Sequence, residues 1–148
     1  YAETSTYERE LLKEGFEAVP WSKGADIFLV NTCTVTEHSD KKSRNIIRKL
    51  HRQNPDAKIY YATTKAPNKY SDAKYEEDCF IMFGKESAGI PESILVDNQE
   101  TCIRIPMNPE IRSLNLSNSV AIVLYEALRQ NNFVGMETEG QLRNYEWK

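Results

Sequence analysis

The sequence predicts an α/β fold, a mostly parallel sheet flanked by helices on both faces. Three observations carry this. Short apolar runs at 27–30 and 79–83 read as buried strands, the first continuous as in a strand covered on both faces, and 59–62 and 102–105 read as further strands. Segments with helical periodicity lie between and after them, at 39–53 and from Val120 to Leu128. Strand and helix patterns alternate along the chain, which is how parallel strands are joined. The 148 residues can bury a core without disulfides or metal, so 1–148 is read as one α/β domain.

The elements follow in order. Ser5 and Glu8 match the S-x-x-E capping box, Tyr7, Leu11 and Leu12 make an apolar face, and Gly15 supplies a stop, so 5–14 is predicted helical. Residues 16–19 read as a short strand closed by Pro20, 22–24 as a turn, 27–30 as a buried strand and 31–34 as a loop. Residues 39–53 form a basic helix with Ile46, Ile47 and Leu50 inward, ended by Asn54-Pro55. After the strand at 59–62, the polar stretch 65–78, with Pro67, Asn68 and several tyrosines, reads as a long loop. The strand at 79–83 ends at Gly84, a loop and a short helix from Pro91 follow, and 102–105 is the last strand. Residues 106–116 are irregular. Val120, Val123, Leu124, Ala127 and Leu128 then fall on one helical face, capped by Ser117 or Asn118. The tail 132–148 carries Gly135, Gly140 and an aromatic end, Tyr145 and Trp147, without a regular pattern.

Composition narrows the class of protein. Apolar residues are 40% and charged residues 28%, a globular balance, and no run of about 18 apolar residues exists to span a membrane. Residues 1–10 lack a basic start and an apolar core, so no signal peptide is visible, and the opening Tyr1 points to a missing upstream piece. A net charge of -3 excludes a strongly basic nucleic-acid domain, but the charge is uneven: residues 1–59 are net +1 and 60–148 net -4. Within 41–58, seven basic residues (Lys41, Lys42, Arg44, Arg48, Lys49, Arg52, Lys58) face one acid, Asp56. Cys33, Cys79 and Cys102 form no CxxC, which predicts reduced thiols and a cytoplasmic protein. His38 and His51 lack a partner at ligand spacing, so no metal is assigned.

In parallel sheets, ligands sit beyond the carboxyl ends of the strands. The informative loops therefore follow Val30, Ala62, Phe83 and Ile105. After Phe83, Gly84 and Gly89 would let backbone approach a ligand closely, with Glu86 between them. After Ile105, a long irregular stretch offers Met107, Leu114 and Leu116 as apolar cover and Asn115 and Ser117 as hydrogen-bonding groups at a helix start. That mixture suits a nucleoside-like ligand; two capped surface loops fit the same spacing. The basic helix could touch RNA phosphates, although a solvated face is the commoner outcome. Tyr60, Tyr61, Tyr70 and Tyr75 could stack bases or pack in the core. Tyr125 and Arg129 lie four apart on one helical face.

The stretches 81–91 (Ile-Met-Phe-Gly-Lys-Glu-Ser-Ala-Gly-Ile-Pro), 103–107 (Ile-Arg-Ile-Pro-Met), 112–118 (Arg-Ser-Leu-Asn-Leu-Ser-Asn) and 125–130 (Tyr-Glu-Ala-Leu-Arg-Gln) resemble the SPOUT methyltransferases. The nearest group 2′-O-methylates the wobble nucleotide of tRNA, and Thr63-Thr64-Lys65 also resembles a segment of it. The resemblance covers about 59–148. It implies a trefoil-knotted α/β fold, an S-adenosyl-L-methionine pocket, a tRNA substrate and a homodimer. It further implies that Thr63, Gly84, Glu86, Gly89, Ile105, Pro106, Met107, Leu114, Asn115 and Ser117 bind the cofactor. Asn115, Ser117, Arg112 and Tyr125 are the catalytic candidates it leaves.

Residues 1–58 show no match to that group's first strand, Asn-rich turn and Arg-bearing helix. Gly24 to Thr36, with Asn31-Thr32-Cys33, and Ser39 to Ala57 resemble instead the amino-terminal domain of radical-SAM tRNA methylthiotransferases. Only Cys33 of that domain's three cluster cysteines is matched, so no iron–sulfur cluster is expected. The reading is a chimera joined near 58–61, with a SPOUT cofactor part and impaired methyl transfer. Loss of the first helix also argues against the dimer. The alternatives are a non-catalytic artificial α/β protein or a tRNA-binding methylthiotransferase fragment.

Overall fold

The computed structural model describes residues 8–9, 12–13, 15, 17–20, 31–32, 37–84 and 89–148. At its centre five parallel strands form one sheet: β1 (Asn31–Thr32), β2 (Ile59–Ala62), β3 (Asn68–Lys69), β4 (Phe80–Gly84) and β5 (Cys102–Arg104). Their order is β1-β4-β2-β5-β3, so β4 and β5 each insert beside a strand formed earlier in the chain. The helices are α1 (Glu37–Gln53), α2 (Glu92–Asp97) and α3 (Leu116–Gln130), with 3₁₀ turns at Tyr70–Asp72 and Gln99–Thr101.

The period-2 alternation of strand side chains divides the core into two layers. Ile59 and Tyr61 of β2, Phe80 and Met82 of β4 and Cys102 of β5 point to one face. There they meet Leu50, Ile46 and Ile47 of α1 and Ile94 and Leu95 of α2. Tyr60, Phe83 and Ile103 point to the other face, against Leu116, Val120, Val123 and Ala127 of α3. Burial on both faces explains why β4 reads as an unbroken apolar run rather than an alternating one. Tyr60, Tyr61 and Tyr75 are buried, and Tyr60 and Tyr75 pack with ring centroids 4.9 Å apart, so base stacking is not open to them. The Tyr60 hydroxyl donates to the Lys74 carbonyl at 2.6 Å and the Tyr75 hydroxyl to the Tyr70 carbonyl at 2.7 Å, which satisfies both phenols inside the core. Tyr70 packs against the same layer.

Several expectations are corrected. Asn31 and Thr32, read as loop, pair with Phe83 and Gly84 as an outer strand. The long loop at 65–78 contains β3 and a 3₁₀ turn, held to β5 by the Asn68 side-chain amide, which donates to the carbonyls of Gln99 and Cys102. Residues 17–19 adopt no strand. α3 starts at Leu116 with Asn115 as its cap, ahead of the predicted Ser117 or Asn118. In the predicted 5–14 helix, Glu8, Arg9, Leu12 and Lys13 are helical and the rest lies outside the described residues, as do the 27–30 strand and Cys33. Among the described residues, no helix is long and apolar enough to cross a membrane, and no three His, Cys, Asp or Glu side chains cluster to hold a metal.

Candidate active site at the carboxyl edge of the sheet

The register aligns the ends of the central strands. Ala62 of β2 lies opposite both Phe83 of β4 and Ile103 of β5, so Thr63, Gly84 and Arg104 form the next row. Thr32 extends that row beside Gly84, and Lys69 beside Arg104. The Thr63 N–H continues the ladder by donating to the Ile103 carbonyl at 2.9 Å, and its hydroxyl accepts from the Lys65 N–H. Thr63, Gly84 and Ile105, predicted from three separate segments, thus come together at one edge.

Gly84 has a stringent steric reason. A Cβ there would lie 2.4 Å from the Gly89 carbonyl carbon and 2.5 Å from the Ile90 nitrogen. The backbone of Gly89 and Ile90 therefore packs directly on that of Gly84. Gly89 itself has a φ of +70°, the left-handed region that glycine adopts without strain. The pair is required by the path of the main chain, whatever it binds. Glu86 lies outside the described residues.

The other wall is the segment from Ile105 to Ser117. Ile105 and Leu116, at the two ends of the irregular stretch, both pack on the core layer that contains Phe83. Pro106 is exposed, while Met107 and Leu114 are half-buried and give apolar cover. Asn115 caps α3: its Oδ1 accepts from the Ser117 N–H at 2.9 Å and the Ser117 hydroxyl at 2.6 Å. Its Nδ2 group has no partner among the described residues and is available as a donor. Replacing Asn115 by Ala should cost about 1 kcal/mol of stability through the lost cap, read from a urea melt.

Two catalytic candidates fall elsewhere. Arg112 is exposed in the loop between β5 and α3. Tyr125 is 53% exposed, and ten residues of helix set it roughly 15 Å along α3 from Asn115. Its expected partner Arg129 is engaged with Glu126, two nitrogens donating to the carboxylate at 2.9 Å each. Sequence reading missed what this corner does. Gln130 Nε2 donates to Glu126 and to the Ala73 carbonyl, Gln130 Oε1 accepts from the Tyr75 N–H, and Asn131 Nδ2 donates to the Tyr75 carbonyl. The end of α3 therefore clamps the 73–75 segment; polar side chains beside a helix end were the available signal.

The hydrogen bonds from Arg129 and then Gln130 hold the Glu126 carboxyl down to about 2 from an ordinary 4.5. A carboxylate depressed in the folded state stabilises the protein above its unfolded value, and that stability is lost as pH falls from about 4.5 to about 2. The acid limb of stability in that window should flatten in Glu126→Gln, as read by thermal melts at stepped pH; an unchanged limb would remove Glu126 from the account. Burial pushes the Cys79 thiol up to about 11, which keeps it protonated and unreactive at neutral pH.

The sequence model of the SpoU rRNA Methylase family matches residues 19–125. The chain belongs to this family. The match takes in β1 and α1, upstream of the boundary near 59 at which the SPOUT resemblance begins. A Listeria monocytogenes protein provisionally named a tRNA (cytidine(34)-2′-O)-methyltransferase is 50% identical over 84 residues, which are 55% of this chain and 50% of that protein. The Escherichia coli K12 tRNA (cytidine(34)-2′-O)-methyltransferase is 41% identical over 102 residues, 68% of this chain and 61% of that protein. The chain thus spans about half the length of the curated relatives it matches. A Bacillus anthracis crystal structure, provisionally named an RNA methyltransferase, superposes with a TM-score of 0.61 at 29% identity, over 77% of this chain and 83% of that one. The SpoU methyltransferase AviRb of Streptomyces viridochromogenes, solved in complex with the cofactor AdoMet, shares the fold with a TM-score of 0.51 at 19% identity, over 63% of this chain and 36% of that one.

Proposed function

We propose that the carboxyl edge of this SpoU-family sheet binds S-adenosyl-L-methionine and serves 2′-O-methylation of the tRNA wobble ribose in the cytoplasm. The observation that carries the reading is the row of strand ends in which Thr63 and Gly84 lie together, with Ile105 leaving the sheet one residue beyond it. The residues suit a nucleoside sulfonium: strand-end backbone, a glycine turn, apolar cover from Met107 and Leu114, and the Asn115 amide as a donor. Thr63, Gly84, Glu86, Gly89, Ile105, Pro106, Met107, Leu114, Asn115 and Ser117 would hold the cofactor, whose sulfonium supplies an already activated methyl group. Relatives named for cytidine-34 2′-O-methylation support the substrate class.

The chain's own part is to bind, orient and move a proton. The ribose hydroxyl must lose its proton to a base. Asn115 carries a neutral amide, and the Ser117 hydroxyl is donated to it. A guanidinium stays protonated, so Arg112 can hold phosphate but not take the proton. Tyr125 is remote. No candidate is arranged as a base, which supports a reading in which the chain binds cofactor but transfers methyl groups weakly. We also read residues 1–58 as a methylthiotransferase-like segment joined to a SPOUT part. The motif Asn31-Thr32-Cys33 supports it. A knotted path and a dimer belong to the same proposal.

Calorimetry with S-adenosylhomocysteine tests the pocket. Binding is expected, weakened at least several-fold by Asn115→Ala; no heat at high ligand concentration would remove the cofactor reading. Tritiated-methyl transfer to unmodified tRNA should be very slow, and robust turnover would refute the impairment. A natural gene encoding the same uninterrupted frame would sink an artificial origin.

A further inference from the structure

We propose that the exposed face of α1 is a docking surface for an RNA phosphodiester backbone, a surface that extends the proposed cofactor site and rests on that reading. Lys41, Lys42, Arg48, Lys49 and Arg52 are all exposed on α1, while Ser43 and Leu50 are buried and Ile46 and Ile47 pack on the sheet. The helix is thus apolar on one side and cationic on the other.

An ordinary solvated helix face interleaves acids with bases at i, i+4, because such pairs stabilise it. This helix carries its two acids, Glu37 and Asp40, in the first turn, four residues ahead of Lys41 and Arg44, and none follows from Lys41 to Gln53. Arg44, Arg48 and Arg52 succeed one another at i, i+4, i+8, a like-charge ridge that works against the helix. Arg44 reaches across to Asp97 of α2 at 3.7 Å. The Arg48 guanidinium donates to Asn45 Oδ1 and the Arg52 Nε to the Arg48 carbonyl, both of them uncharged acceptors. A polyanion would neutralise the ridge.

Placement gives the surface a use. α1 begins five residues after Thr32, which lies beside Gly84 in the row of strand ends. Its first turn, which carries Glu37 and Asp40, therefore stands at the carboxyl edge, and the cationic stripe begins just beyond it at Lys41 and runs for about 16 Å. A strand lying on it meets several successive phosphates and is delivered toward the edge where Thr63 and Gly84 share one row. The chain as a whole is net -3, so this stripe is local and not a consequence of overall charge.

The test is fluorescence anisotropy of a labelled unmodified tRNA transcript over a salt series, with the whole chain and with Lys41→Gln/Lys42→Gln/Arg48→Gln/Arg52→Gln. The quadruple variant should bind at least tenfold more weakly at low salt, and its log–log salt slope should be shallower by about 3. Far-UV melts check folding, which neutralisation should leave intact or improve; the double variant Lys41→Gln/Lys42→Gln serves should the quadruple fail. S-adenosylhomocysteine affinity is measured on the same samples and should not change. Equal tRNA affinity and slope in parent and variant, or no tRNA binding by the parent, overturns the docking surface. Polyglutamate competing as well as RNA assigns the stripe to an acidic protein and overturns it too. Stripe-dependent tRNA binding by a parent that takes no S-adenosylhomocysteine leaves the surface standing and removes the cofactor site.

Discussion

Gly84→Ala should destabilise the protein by about 3 kcal/mol or more, beyond the ordinary range for a surface loop. The added methyl meets backbone at 2.4–2.6 Å on the Gly89–Ile90 segment, which cannot swing aside as a side chain could. The thermal midpoint should drop by roughly 10 °C. S-adenosylhomocysteine binding should be lost with it, since β4 would no longer end where the pocket begins. Gly89→Ala is the control. Its Cβ would meet nothing within 4 Å, and the cost is only that of the left-handed backbone at φ +70°, about 1–2 kcal/mol. A Gly84→Ala protein melting with its parent would show that the close approach does not persist in solution.

Leu50→Ala should cost about 2–5 kcal/mol. Leu50 is 1% exposed on α1, packed in the layer with Ile59, Tyr61, Met82 and Ile94. It therefore reports whether α1 and the strands from β2 onward share one core. If they do, far-UV and near-UV unfolding curves should shift together in urea, as one transition. If residues 1–58 were an appendage, helical signal would be lost first and the tyrosine signal would stay put. Val96→Ala, at a site 76% exposed on α2, should stay within about 0.5 kcal/mol of the parent.

The elements legible from sequence were those with a face to bury. β2 falls at 59–62 as expected, β4 and β5 within a residue at each end, and α1 starts two residues earlier than its apolar pattern implied. The ones misread were polar. Among the described residues, Asn31–Thr32 and Asn68–Lys69 are the outermost strands of the sheet, where short polar strands are usual. No hydrophobic period marks them; only the neighbouring strands make them strands. Asn115 was singled out for a ligand and its capping role overlooked, because Val120 and not Leu116 opens the visible apolar stripe.

By itself the sequence determined the fold class, the burial of β4, and the segments proposed to carry a site. These follow from local composition, since an unbroken apolar run has to be covered on both faces wherever it lies. Only the tertiary structure decided which segments meet. It brought Thr63 and Gly84 into one row through strand register, while Tyr125 was left outward on α3. It also gave Gly84 a reason that no spacing contains, because the atoms excluding a side chain belong to a backbone segment that folds back upon it. Such contacts depend on strand order, and strand order comes from packing the whole core at once.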